Sequence, residues 1–155
     1  MRIRDANIAD ANALTELAFK SKAHWGYSEA FMNACRDELS VTPRDLESAA
    51  SQCRLCEADN EMVGFYIVHQ LSVSEAELDA FYVHPDCIGQ GVGKRLMQDA
   101  VLLAKAWGHD HLTIQSDPNA EGFYLACGAV RVGEKASDSI AGRFLPLLTL
   151  ELNRR

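Results

Sequence analysis

The stretch from Glu75 to Trp107, EAELDAFYVHPDCIGQGVGKRLMQDAVLLAKAW, restricts the fold of this chain more than any other. Its first part alternates in polarity as a β-strand does. The two predicted faces of the strand are Glu77, Asp79 and Phe81 on one side and Leu78, Ala80 and Tyr82 on the other. Pro85 ends the strand because proline cannot donate to a neighbouring strand. Gly89, Gly91 and Gly93 follow, and apolar residues at helical spacing then predict a helix that ends near Trp107.

A strand, a glycine loop and a helix in this order form a site for a phosphate group. The first turn of a helix leaves backbone N–H groups free, and glycines let a ligand approach the backbone closely. Two nucleotide motifs fail on spacing. A P-loop requires glycine at the position of Ile88 and Ser or Thr at the position of Arg95. A dinucleotide fingerprint requires two residues between its second and third glycines, but here Val92 alone separates Gly91 from Gly93.

The loop instead resembles the acetyl-CoA motif of the GNAT N-acetyltransferases, Arg/Gln-x-x-Gly-x-Gly/Ala after a strand that ends in an aromatic-Val-x-Pro phrase. Residues 81–85 (FYVHP) and 88–93 (IGQGVG) carry this resemblance. Ile88 departs from it, because the family prefers Arg or Gln there. A second phrase, residues 117–129 (DPNAEGFYLACGA), is similar to the family's Asn-x-x-Ala-x-x-Phe-Tyr-x-x-x-Gly-Phe, with a shortened Asn-to-Ala spacing and Ala129 in place of Phe.

The resemblance implies an acetyl-CoA site built from the strand, the loop and the second phrase. Its implied cofactor-binding residues are Phe81, Tyr82, Val83, Ile88, Gly89, Gln90, Gly91, Val92, Gly93, Lys94, Asn119 and Tyr124. The loop would hold the pyrophosphate, and Asn119 would hold the pantetheine arm. A backbone N–H near Val83 would face the thioester carbonyl. In the alternative interpretation, the glycines only form a tight turn before a core helix, and Lys94 is a solvated side chain.

Acyl transfer to an amine needs an acid and a base. A thiol has a pKa of about 8.5 and a phenol one of about 10, so a tyrosine can protonate a departing thiolate. The resemblance gives this role to Tyr124. In the alternative interpretation, the Tyr124 ring only packs in the core. The amine must lose a proton before it attacks, and Glu77 matches the base of some family members. Asp79 and water remain alternative bases, and a solvated strand residue is the other interpretation of Glu77.

The acceptor pocket is expected between the first two helices, where residues 22–28 (KAHWGYS) interrupt the helical period. His24, Trp25 and Tyr27 cluster there around a glycine, and aromatic faces suit a cation. Arg143, in a late loop, is a second candidate for acceptor binding because it can pair with a carboxylate. A packed corner between two helices explains the same aromatic residues equally well.

Composition bounds the remaining possibilities. The chain has 155 residues, 48% of them hydrophobic, which suits one GNAT-like domain over residues 1–155. The resemblance to the GNAT family, which the order of predicted strands and helices extends over nearly the whole chain, implies an α+β fold. This fold is a three-layer α/β/α arrangement with a mixed, mostly antiparallel sheet of about seven strands flanked by helices. A net charge of −7 argues against nonspecific nucleic-acid binding. No apolar run reaches the roughly 20 residues of a membrane span.

Cysteine and histidine usage predicts no metal site. Five cysteines without a secretory signal suggest free thiols in a cytoplasmic protein. Cys53 and Cys56 lack a second ligand pair and would face opposite ways on a strand. His109 and His111 are expected at the surface.

The leading hypothesis is a cytoplasmic N-acetyltransferase that uses acetyl-CoA to acetylate a small-molecule primary amine by direct attack in a ternary complex. A noncatalytic acyl-CoA-binding regulatory module and a protein N-terminal or lysine acetyltransferase are the alternatives. Homodimer formation is compatible with the sequence. The acceptor and the length of the acyl group stay open at this point.

Overall fold

The computed structural model describes residues 1–152, which form a sheet with helices on both faces. Its strands are β1 (Arg2–Asp5), β2 (Ser51–Ala58), β3 (Glu61–Gln70), β4 (Glu75–Val83), β5 (His111–Gln115), β6 (Val130–Ala136) and β7 (Phe144–Glu151). Its helices are α1 (Ala11–Ala23), α2 (Glu29–Ala34), α3 (Arg36–Leu39), α4 (Pro43–Glu47), α5 (Val92–Ala106) and α6 (Glu121–Ala126). Short 3₁₀ turns precede α1, α5 and α6.

The sheet is mixed and mostly antiparallel. Its strand order is β1-β2-β3-β4-β5-β7-β6, and β4 with β5 form the parallel pair within the described residues. The connection between these two strands contains α5, as a parallel crossover requires. This topology confirms the predicted three-layer fold with seven strands.

Two apolar cores lie on opposite faces of the sheet. Leu14, Leu17 and Phe65 belong to the core under α1–α4, and Tyr66 and Leu96 belong to the core under α5 and α6. β3 contributes to both cores, because its residues from Val63 to Val68 are buried on either face. A strand covered on both sides reads as a continuous apolar run, as 63–68 does.

Local sequence signals are confirmed at several turns. In the sequence, Asp10 follows Asn7 at the spacing of a capping box, and Asp59-Asn60 separates two runs of alternating polarity as a hairpin turn does. Asn7 and Asp10 form that capping box, and Asp59 and Asn60 both take the positive φ of a two-residue hairpin turn. Ser28 as a cap and the apolar positions from Ala30 to Leu39 predict a single second helix. This prediction is wrong, since the helix breaks at Cys35 into α2 and α3. The Cys35 N–H is shared between the carbonyls of Phe31 and Met32, a tightened last turn that ends α2.

The expected surface position of His109 is wrong. His109 is buried beneath the Trp107 ring, whereas His111 is exposed as expected. Cys53 and Cys56 lie in opposite cores, and the five cysteines are free. Within residues 1–152, no three His, Cys, Asp or Glu side chains gather at metal-binding distance. Among the same residues, none of the helices combines the length and the apolar character needed to cross a bilayer.

Candidate active site

The site is an opening in the middle of the sheet. β4 pairs with β5 only from Glu75 to Leu78, and β4 continues to Val83 without that neighbour. A cavity of about 530 Å³ occupies the opening, with walls from both strands, the glycine loop, α1 and α6. The ordinary repeat of the sheet is interrupted here, so backbone groups of β4 become available to a ligand.

Two of these backbone groups can be identified from the pairing of β3 with β4. The His84 N–H bonds to the Val63 carbonyl at 2.8 Å, and residues bonded to an antiparallel neighbour alternate along a strand. The register therefore directs the N–H groups of Phe81 and Val83 away from β3 and toward the opening. The N–H near Val83 that the resemblance assigned to the thioester carbonyl lies on this side.

The glycine loop ends the cavity at the N-terminus of α5. Gly89 and Gly91 have φ of 82° and 86°, in the left-handed region that glycine tolerates, and Gly91 precedes the first helical residue. The first N–H to bond back into the helix belongs to Arg95, which donates to the Gly91 carbonyl at 3.1 Å. The N–H groups of Val92, Gly93 and Lys94 are thus free to bind an anion such as a pyrophosphate.

Gly93 is needed for a different reason. A Cβ at this position would lie 3.2 Å from the Phe123 ring of α6, closer than such atoms normally approach. The absent side chain lets the start of α5 pack against the helix that carries Tyr124. Glycine at this position therefore fixes the distance between the anion site and the candidate acid.

Most of the predicted cofactor-binding residues surround the same cavity. Its walls include Phe81, Tyr82, Val83, Ile88, Gly89, Gly91, Gly93, Lys94, Asn119 and Tyr124. The other two, Gln90 and Val92, belong to the loop but do not line the cavity. The Gln90 amide donates to the Asp86 carbonyl, and the Val92 side chain is buried in the core.

Tyr124 lies on α6 with its ring in an aromatic cluster. Its ring centroid is 5.3 Å from that of Phe123 and 5.9 Å from that of Phe81. Its side chain is almost completely buried, and it contributes to the wall of the cavity. Burial, with the nearby Cys127 and Asp117, raises the pKa of Tyr124, so the phenol keeps its proton at neutral pH.

A β-bulge at Asp79 changes which side chains share a face of β4. In the register with β3, Val68 lies opposite Leu78 and Ile67 opposite Ala80, so Asp79 is left without a partner. Leu78 and Phe81 consequently enter one core while Ala80 and Tyr82 enter the other. The predicted strict alternation is therefore wrong beyond Asp79, because an extra residue reverses the faces.

The bulge separates two sets of candidate residues. Phe81 and Val83 face α5 and α6, on the side of the glycine loop. Glu77 shares the opposite face with Tyr82, under α1–α3. Both Glu77 and Asp79 line the large cavity. Partial burial raises the pKa of Glu77, and the adjacent charge of Asp79 raises it further. The positive charges of Lys135 and His69 act in the opposite direction and lower it.

The residues predicted for acceptor binding do not form one group. Trp25 lines the cavity and is 42% exposed, with the His24 ring against its edge at 5.2 Å. His24, Tyr27 and Arg143 do not line the cavity. Tyr27 instead stacks on Phe31, with ring centroids 4.1 Å apart.

Tyr27 and Arg143 belong to a polar network centred on Asp117. The Tyr27 hydroxyl donates to Asp117 Oδ2 at 2.8 Å and accepts from Arg143 Nη2 at 2.7 Å. The Asn119 amide donates to Asp117 Oδ1 at 2.9 Å, and the buried Lys22 ammonium lies 3.4 Å from Asp117 Oδ2. The network joins the α1–α2 loop to the loop that carries Asn119, so the expected acceptor wall and the pantetheine-binding residue are mechanically linked.

Sequence reasoning missed Asp117 and Lys22 as site residues. Asp117 was visible only as the start of a helical turn, and its carboxylate does cap that turn at the Asn119 N–H. Lys22 lines the cavity although it is buried. No local signal marks either residue as part of this network, because Tyr27 and Lys22 lie 90 and 95 positions from Asp117 in the sequence.

A second cavity of about 270 Å³ adjoins the first beneath α3 and α4. Glu38, Asp79 and Tyr82 line both cavities. The smaller one also has Asp37 and Asp45 in its wall. Among the described residues, the lining of this cavity contains four carboxylates and no basic side chain, so its field favours a cation.

Comparison with known proteins identifies relatives across most of the chain. Residues 14–129 match the model of the family described as Acetyltransferase (GNAT) family. The chain is 31% identical over 118 residues to the peptidyl-lysine N-acetyltransferase YjaB of Salmonella typhimurium, with 76% of each protein covered. It is 32% identical over 130 residues to the peptidyl-lysine N-acetyltransferase YiaC of Escherichia coli, with 81% of each covered.

A solved structure with the same fold contains a bound ligand. The PaiA N-acetyltransferase from Thermoplasma acidophilum, in complex with coenzyme A, superimposes with a TM-score of 0.72 at 21% identity. The alignment covers 97% of this chain and 98% of that one.

Proposed function

Because the chain belongs to the GNAT family of acetyltransferases, we propose that it transfers the acetyl group of acetyl-CoA to a primary amine by direct attack in a ternary complex. The resemblance seen in the sequence is confirmed, and the protein is an acyltransferase. The observation that carries the proposal is the single opening between β4 and β5. Its walls contain the glycine loop, Tyr124 and Glu77 together.

The donor fits the free backbone groups of the opening. Acetyl-CoA supplies an activated acyl group on a thiol leaving group. The N–H groups of Val92, Gly93 and Lys94 bind its pyrophosphate, and Asn119 binds the pantetheine arm. The Val83 N–H points toward the opening and stabilises negative charge on the thioester oxygen.

Two side chains move the protons. Glu77 takes a proton from the acceptor ammonium, directly or through water, because an ammonium has no lone pair for attack. Its raised pKa makes it a stronger base than an exposed carboxylate. Tyr124 donates its proton to the departing thiolate and is reprotonated by the second proton that the nitrogen loses as the amide forms. The net products are an amide, a thiol and one proton returned to solvent through Glu77.

The acceptor is a cationic alkylamine. The carboxylates of Glu38, Glu77 and Asp79 attract an ammonium group, and the smaller acidic cavity accommodates a second cation beside it. The names of YjaB and YiaC favour a lysyl side chain of a protein. The small-molecule amine expected from the sequence is the second candidate, favoured by the size of the acidic cavity, which suits a short diamine.

An acceptor panel tests the proposal. The protein is incubated with acetyl-CoA and with lysine peptides, diamines or monoamines, and free thiol is measured, with mass spectrometry of the acceptor. Peptides whose lysine is already acetylated are the matched controls. We expect transfer to cationic amines and faster transfer when a second positive charge is nearby. Binding of acetyl-CoA without acceleration by any amine would support the noncatalytic regulatory module instead. Cytoplasmic location and a homodimer stay predictions.

A further inference from the structure

His69, which the proposed mechanism does not use, lies beside the candidate base. It is on β3 directly opposite Glu77 on β4 and directly opposite Ser51 on β2. Its Nδ1 is hydrogen-bonded to the Ser51 hydroxyl, and its Nε2 lies 3.1 Å from Asp79 Oδ2. Both ring nitrogens are thus occupied, so the orientation of the ring is fixed from two strands.

The bulge explains why Asp79 reaches this histidine. In a regular strand Asp79 would pair with a residue of β3, but the extra residue leaves it unpaired at the edge of the cavity. Its carboxylate then lies near the imidazole ring of His69 and the carboxylate of Glu77. Once His69 is protonated, the first is an opposite charge and the second a like charge. Two carboxylates side by side oppose each other's ionisation unless a cation compensates one of them.

We propose that His69 is a positioning residue for the base: by pairing with Asp79 it compensates the negative charge next to Glu77 and keeps Glu77 ionised, ready to accept the proton of the acceptor ammonium. The assignment of the base to Glu77 rests on the proposed function. The role of His69 toward the Glu77 carboxylate rests on the contacts among Ser51, His69 and Asp79.

The surrounding charges determine the sign of the effect. His69 faces Asp79 and Glu77 from β4 and Asp45 from α4, and the hydrogen bond to Asp79 raises the pKa of His69 in spite of its partial burial. Glu77 faces Asp79, the Lys135 ammonium of β6 and His69. The charge of a protonated His69 lowers the pKa of Glu77, so removal of that charge raises the pKa of Glu77.

Two substitutions separate charge from geometry. His69→Gln keeps a side-chain donor for Asp79 but removes the positive charge, so the acid limb of kcat/KM against pH moves to higher pH. Activity below the midpoint falls about three- to tenfold, the effect of one neighbouring charge. Asp79→Asn removes the like charge and moves the limb to lower pH. His111→Gln, an exposed histidine on the same sheet, is the matched control with no shift.

Carboxyl titration by NMR makes the test independent of turnover. We expect the pKa of Glu77 to rise in His69→Gln and to fall in Asp79→Asn, where the pKa of His69 also falls. Unchanged Glu77 titration in His69→Gln, or shifts of the same sign in both variants, would overturn the inference. A shifted Glu77 pKa with an unmoved acid limb would uphold the role of His69 and refute Glu77 as the base.

Discussion

Replacement of Gly93 by alanine tests how closely the two halves of the donor site must pack. Gly93 and Gly122 are the second residues of α5 and α6, so an alanine at either gains similar helix propensity, up to about 1 kcal/mol. An alanine Cβ at Gly93 meets the Phe123 ring at 3.2 Å, whereas one at Gly122 meets nothing within 4 Å. Overpacking of this kind costs about 1–3 kcal/mol. Gly93→Ala should therefore be less stable than Gly122→Ala by about that amount.

Thermal and urea unfolding of the two variants measure this difference. A gap of 1–3 kcal/mol corresponds to about 2–12 °C in Tm for a chain of this length. Since Phe123 precedes Tyr124, displacement of the ring should also lower kcat in Gly93→Ala and leave it unchanged in Gly122→Ala. Equal stability and equal turnover of the two variants would refute the claim that Gly93 sets the spacing between loop and acid.

Three further predictions concern the loop, the aromatic wall and the polar network. Gly91→Val places a β-branched residue at φ 86° and should abolish acetyl-CoA binding in calorimetry; unchanged affinity in a folded variant would remove the argument for the loop. Trp25→Ala should raise the acceptor KM several-fold to about thirtyfold, for a contact of about 0.5–2 kcal/mol, with acetyl-CoA affinity intact. A loss confined to acetyl-CoA would place Trp25 on the donor side. Asp117→Asn should destabilise the protein by about 1–3 kcal/mol at neutral pH. Although burial opposes its ionisation, hydrogen bonds from the Asn119 backbone and Tyr27 lower the pKa of Asp117. The destabilisation by Asp117→Asn should therefore disappear as pH falls through that lowered pKa. If the variant stayed less stable than the wild type in acid, this explanation would be contradicted.

The donor side could be predicted from the sequence because its signals are local. The strand end, the positive-φ glycines and the start of α5 are contiguous, and each has a residue type that its backbone requires. The hairpin turn at Asp59 and Asn60 was predictable for the same reason. Tyr124 could be placed near the loop only through the family resemblance, since helical spacing alone also fits a core tyrosine.

The acceptor side could not be predicted because its contacts are nonlocal. The bulge at Asp79 depends on how β3 pairs with β4, and the alternating sequence of β4 gives no sign of it. Tyr27 and Arg143 resembled free binding residues, but Asp117, 90 positions from Tyr27, occupies both. His69 gave no signal, because its partners Ser51 and Asp79 come from neighbouring strands.

Turnover by Tyr124→Phe is the most direct test of the account, because the substitution keeps the ring in its aromatic cluster and removes only the hydroxyl. Steady-state release of free thiol is measured beside acetyl-CoA affinity by calorimetry. If Tyr124 protonates the thiolate, kcat falls roughly 10²-fold while acetyl-CoA affinity is unchanged, the usual scale for a general acid. Wild-type turnover by the folded variant would show that Tyr124 only packs in the core, and would contradict the assignment of the acid.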